Sequence, residues 1–252
     1  MMKNIMKLIV LMLLMLPLFP QNVFAKSHAQ INSTAIDKEG AFLSWTVAHF
    51  IVTGPNVRRL GGDPVTKQIY REVDEEFEGG YGTTGIDDIE GAEAGLELID
   101  GDYIIEVIGN GLDLMAFDIG VSILRDVGGE GFADSSFIGI TDKGMTSKFR
   151  MTYNSDPNKP AGGLVRLATT QSLKQDIELS RKVNWIDNDG IMKSLLKKAE
   201  AIEDSINRGN SRAAENELKA LINEVEAQTE KHIGKEASTI LIEDAQYIID
   251  NL

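Results

Sequence analysis

The feature that most constrains this chain is a change of texture near residue 170 of its 252 residues. Before that point glycine recurs, and short apolar stretches alternate with turn signals. After it glycine is scarce, and alanine, glutamate, lysine and leucine dominate. Strands repeat their side chains every second residue and helices about every 3.6, so one architecture cannot serve both halves. The first part reads as β and the second as α.

Residues 44–53 are rich in β-branched and aromatic side chains and stop at Gly54-Pro55, a turn signal. Residues 67–73 read as a second strand, followed by a loop with glycines at 79, 80, 82 and 85. Further strands are expected over 93–99, 103–108, 114–124, 137–140, 147–153 and 164–169. Over 114–124 apolar residues fall at 115, 117, 119, 121 and 123, which puts one face in a core. Six to eight such strands imply an antiparallel β-sandwich or barrel over residues 41–170, after a polar lead-in at 26–40.

Residues 171–185 read as a helical connector. Three helices then follow within 186–252. Their apolar faces are Ile191, Leu195, Ala199, Ile202 and Ile206; Ala214, Leu218, Leu221, Ile222 and Val225; and Ala237, Ile240, Leu241, Ala245 and Ile248. Gly209 suits a C-terminal cap, Asp189 and Asn210 or Ser211 suit N-caps, and Gly234 breaks the chain between the last two helices. The fold class expected is β plus α, an antiparallel sandwich followed by a small three-helix module.

The first 25 residues have the order of a secretory signal. Lys3 and Lys7 precede an apolar run over 8–18, and Val23 and Ala25 stand at the small-residue positions of a cut after Ala25. That run is shorter than the roughly 20 residues that span a bilayer. A secreted or extracellular location is expected, with any retention at a cell surface non-covalent. The chain carries 25 lysines and arginines against 39 acids, a net charge of −14, which disfavours nucleic acid and anionic membranes as partners. With no cysteine, it forms no disulfide, thiolate metal site or thiol nucleophile.

Trp185-Ile186-Asp187-Asn188-Asp189-Gly190-Ile191, Ser194-Leu195-Leu196, Arg208-Gly209-Asn210, residues 218–225 and Asp244-Ala245-Gln246 resemble the FIMAH domain over about residues 183–252. This small helical module closes secreted and surface proteins of bacteria, and the resemblance implies an accessory role with no catalytic residues. More loosely, Val52-Thr53-Gly54-Pro55, Arg58-Arg59, Gly61 or Gly62, Asp63-Pro64 and Thr66 are similar to a motif of immunoglobulin-like sandwiches in exported bacterial proteins. The run from Gly101 to Gly109 is similar to one of their strands. Lys67 stands where those modules usually have glycine, and Ile104 where threonine is common.

No set of residues converges on catalysis. His28, His49 and His232 are isolated, whereas zinc needs three or four ligands together. Glu72, Asp74, Glu75, Glu76 and Glu78 form one acidic cluster, and Asp87, Asp88 and Glu90 a second. Asp87, Asp88 and Glu90 are the calcium candidates, since calcium takes six to eight oxygens. Paired carboxylates also serve glycosidases, and a solvated acidic loop explains them without either role. Asp187-Asn188-Asp189-Gly190 lacks the outer ligands of a calcium loop, because Trp185 and Leu196 occupy those positions. Gly79-Gly80-Tyr81-Gly82 lacks the lysine of a phosphate loop. Arg58-Arg59 suits an acidic group, or pairing with nearby carboxylates. No cofactor is expected. The function expected is a secreted, non-catalytic interaction module whose partner is an extracellular protein or polysaccharide. The alternatives are a carbohydrate-active enzyme using loop carboxylates and a calcium-stabilised structural module.

Overall fold

The computed structural model describes residues 27–36, 48–72, 81–86, 89–109, 114–125, 131–156 and 158–252. The signal segment, residues 74–78 of the first acidic cluster, and Asp87 and Asp88 of the second lie outside these residues. Among them are eleven strands and four helices. The strands are β1 (His28–Ile36), β2 (His49–Thr53), β3 (Arg59–Asp63), β4 (Gln68–Arg71), β5 (Tyr81–Ile86), β6 (Ile89–Glu97), β7 (Gly101–Ile108), β8 (Met115–Arg125), β9 (Gly131–Thr141), β10 (Thr146–Tyr153) and β11 (Gly162–Arg166). The helices are α1 (Thr170–Lys182), α2 (Asp189–Asn207), α3 (Ser211–Gln228) and α4 (Lys235–Asp250).

The strands form two antiparallel sheets, ordered β5-β6-β1-β8-β9 and β11-β10-β7-β2-β3-β4. Their inner faces share a core because alternate residues of the long strands are apolar. Phe117, Ile119, Val121 and Ile123 are buried from β8, Tyr103, Ile105 and Val107 from β7, and Phe149, Met151 and Tyr153 from β10. Phe149 joins the sheets. Its ring meets Phe117 edge-on at 6.2 Å and Phe137 of β9 at 5.1 Å.

Three strands escape the sequence pattern. Residues 28–36, expected as a polar lead-in, form β1 between β6 and β8. Its inward residues include Ala29, Ile31 and Ser33, and only Ile31 of these gives a strong hydrophobic signal. β3 reads as a turn because it holds Gly61-Gly62. Gly61 lies at φ 138°, and a Cβ there would stand 2.1 Å from the Phe50 carbonyl oxygen, so the close approach of β2 requires glycine. β5 occupies the stretch expected as a glycine loop.

The helical region has one helix more than the three expected, because the connector is a full member. α1 packs against α2 and α4, α2 against α3, and α3 against α4. The predicted faces are the buried ones: Leu195, Ala199 and Ile202; Ala214, Leu218, Leu221 and Val225; and Ala237, Ile240, Leu241, Ala245 and Ile248. α1 starts with a capping box, in which Thr169 and Ser172 satisfy each other's backbone N–H groups. Asn188, rather than Asp189, caps α2, accepting from the N–H groups of Gly190 and Ile191. Asn210 caps α3.

The helices are docked on the strands. α1 and α4 touch β9, and α4 also touches β11. Lys182 pairs with Asp142 at 3.1 Å across this junction. Deeper in, Arg166 of β11 reaches Asp176 of α1 and Asp244 of α4.

If Phe149 is the link between the two sheets, Phe149→Ala removes contacts on both sides and leaves a cavity. Urea denaturation should show a loss of about 3–5 kcal/mol.

Candidate functional site

The acidic clusters of the sequence do not assemble into a site among the described residues. No group of three or more potential metal-ligating side chains gathers there. Of the first cluster, Glu72 is taken up by Arg59: Nη2 donates to Oε1 at 2.7 Å and Nε to Oε2 at 3.2 Å. Of the second, the backbone of Glu90 pairs in β6 opposite Gly85, while Asp87 and Asp88 lie outside the described residues.

The Asp187-Asn188-Asp189 run is a clasp within the helical module. Asp187 Oδ1 lies 2.8 Å from His232 Nδ1, and the Asp187 N–H donates to the His232 carbonyl. Asp189 receives Arg181 Nε at 2.6 Å. The buried Trp185 accepts the Gly234 N–H at 2.6 Å, and Ile186 bridges to Ile233. These contacts tie the loop before α2 to the loop before α4, which occupies His232 in structure. His49 on β2 is half-buried, and burial lowers its pKa below the ordinary histidine value.

A distinct surface emerges at the far edge of the six-stranded sheet, on the β3–β4 hairpin and the turn before it. Residues 56–72 carry Arg58, Arg59, Lys67 and Arg71 against Asp63 and Glu72, the latter paired with Arg59, within a strongly acidic chain. Val57, Val65 and Ile69 are exposed by 76%, 56% and 60%. The Arg59 guanidinium lies over the Tyr70 ring, 4.1 Å from its centroid, and also donates to Glu72. Val57 and Lys67 both sit in left-handed backbone, at φ 65° and 59°. That conformation favours glycine and is unusual for a β-branched residue, so the turns project bulky side chains at a local cost. Asp63 closes the β3–β4 turn, with Oδ1 accepting from the N–H groups of Val65 and Thr66. Arg58-Arg59 was legible as a motif; the exposed apolar residues around it were not.

On the outer face of β8, burial pushes the Asp118 carboxyl up to about 6. At the docking junction a cleft of about 210 Å³ is lined by Thr146, Lys148, Arg166, Ser172, Gln175 and Asp176, among others.

Set against known families, the helical third of the chain has a match. Residues 170–250 match the family model of the FIMAH domain, so the C-terminal region of this chain is a FIMAH domain. The match begins at the first residue of α1 and thus takes in the helix expected as a connector. No curated protein and no solved structure matches the chain. Among the described residues, no helix is long and apolar enough to cross a membrane.

Asp118 supplies a pH test. Its pKa is raised, so the folded protein holds that proton more tightly than the unfolded chain. The associated stability is complete below about pH 4 and is lost as the pH rises through about 6. Between those limits the wild type should lose up to about 3 kcal/mol more than Asp118→Asn, measured by urea denaturation across the range.

Proposed function

We propose that this chain is a secreted, non-catalytic interaction module. The double-sheet unit is read as an immunoglobulin-like sandwich that makes the binding contact, with the FIMAH domain as its accessory. The exposed β3–β4 hairpin carries this reading. It offers positive charge, uncovered aliphatic side chains and a sheet edge on one surface. Such a combination suits an acidic protein segment lying along β4, where main-chain groups give affinity and Lys67 and Arg71 give selection. Two copies of this edge would bring like charges together, which disfavours self-pairing. The immunoglobulin-like assignment is supported by the chain passing repeatedly between the two antiparallel sheets. Secretion rests on the basic, apolar and small-residue order of the first 25 residues.

The hydrolase reading has Asp118 as its one specific observation, because a carboxyl that titrates near 6 suits a general acid. The shift there comes from burial, with no second carboxylate among the described residues contributing to it. Glycoside hydrolysis needs a pair, so the interaction role is the better supported.

The experiment is binding of residues 26–252 to a polyglutamate peptide, with polygalacturonate and a neutral glucan as comparators. The expected result is saturable, salt-sensitive binding of the peptide, weakened about tenfold or more by the pair Lys67→Glu and Arg71→Glu. Binding indifferent to that charge reversal would refute the hairpin as the contact surface. Preference for the polysaccharide would replace the partner class.

A further inference from the structure

The junction between strands and helices encloses an unbalanced set of charges. Arg166 enters from β11, and Asp176 and Asp244 enter from α1 and α4. Their side chains are exposed by 4%, 3% and 0%. Arg166 Nη2 pairs with Asp176 Oδ2, and Arg166 Nε stands 3.0 Å from Asp244 Oδ1. The Phe137 ring closes the guanidinium from the β9 side, its centroid 5.4 Å away. One cation thus faces two carboxyls whose side chains are almost wholly buried. Other charges nearby do not correct the count. Glu243, next to Asp244 on α4 but exposed, adds a further acid. Lys148 on β10 lines the cleft, but it is half-exposed and paired with Glu106 at 2.8 Å.

We propose that the helices dock on the strands with one proton bound between Asp176 and Asp244, so that docking is coupled to proton uptake. An uncompensated buried carboxylate costs several kcal/mol, whereas a shared proton removes the excess charge and adds a hydrogen bond. The hydrogen bonding points the same way. Neither oxygen of Asp244 receives a well-aligned donor among the described residues, because Arg166 Nε lies off the hydrogen-bond line. A protonated Asp244 turns one of those oxygens into a donor, and Asp176 is the acceptor beside it. Burial also drives the Asp244 carboxyl well above the usual carboxylate range, and Asp176 adds to the rise. Since the folded state holds the proton more tightly, the junction is strongest below the ordinary carboxylate pKa. It weakens as the pH climbs through that of the pair.

The test uses full-length mature protein carrying Asp118→Asn and Glu243→Gln, which removes the two other raised carboxyls near this range. At about pH 7 its infrared spectrum should contain the carbonyl band of a protonated carboxylic acid, and adding Asp244→Asn should abolish that band. The melting temperature should fall as pH is raised from about 5 to about 9, and stay level once Asp244→Asn is added. Absence of the band in the parent protein would overturn the proposal, even if Asp244→Asn failed to fold. So would the same melting slope with and without Asp244.

Discussion

Arg166 is the interaction on which the arrangement of this molecule depends. It lies at the end of the last strand, four residues before the first helix, and its guanidinium is buried against side chains from two helices. Asp176 and Asp244 both belong to the FIMAH region, whereas Arg166 precedes it. The helical module therefore carries an acidic socket whose cation comes from its neighbour. Buried ion pairs seldom add much net stability over an apolar substitute, but breaking one leaves an isolated charge and is strongly unfavourable. Such a contact specifies which surfaces meet, and it makes the short connection through residues 167–169 a fixed joint.

Much of this architecture was legible from periodicity. Alternation over β7, β8 and β10 and the three helical faces follow the burial of individual residues, because bulky side chains there mark the core directly. What escaped was carried by small residues. β1 shows the core a single large apolar side chain, Ile31, between Ala29 and Ser33, and β3 is built on two glycines that let backbones approach. α1 looked like a connector because its buried residues include Asp176 and Ser180 beside Leu173, Ile177 and Leu179. The socket had a trace in the sequence: Asp244 lies on the apolar stripe formed by Leu241, Ala245 and Ile248, where an acid is out of place. Its partner, 68 residues earlier in the chain, has no local signal. The acidic runs drew attention by composition, yet Glu72 serves to hold Arg59.

The two ends of the molecule differ in character. At the junction, one buried cation is shared by two buried carboxyls, which favours a fixed geometry. At the far edge of the six-stranded sheet, Val57 and Lys67 adopt unfavourable backbone conformations and hold aliphatic and basic side chains in solvent. Strain and apolar exposure together are features a protein retains where a surface meets something else. On the proposed reading, the FIMAH domain braces the strand module from one end and leaves the opposite edge to make contact.

The most direct test of the account is calorimetric unfolding of Arg166→Ala beside the wild type. Removing the guanidinium strands two buried carboxyls and should cost about 3–5 kcal/mol. If Arg166 holds the two modules as one body, the wild type melts in a single cooperative transition, and Arg166→Ala melts lower, with strand and helix unfolding separated. A single transition at an unchanged midpoint in Arg166→Ala would contradict it.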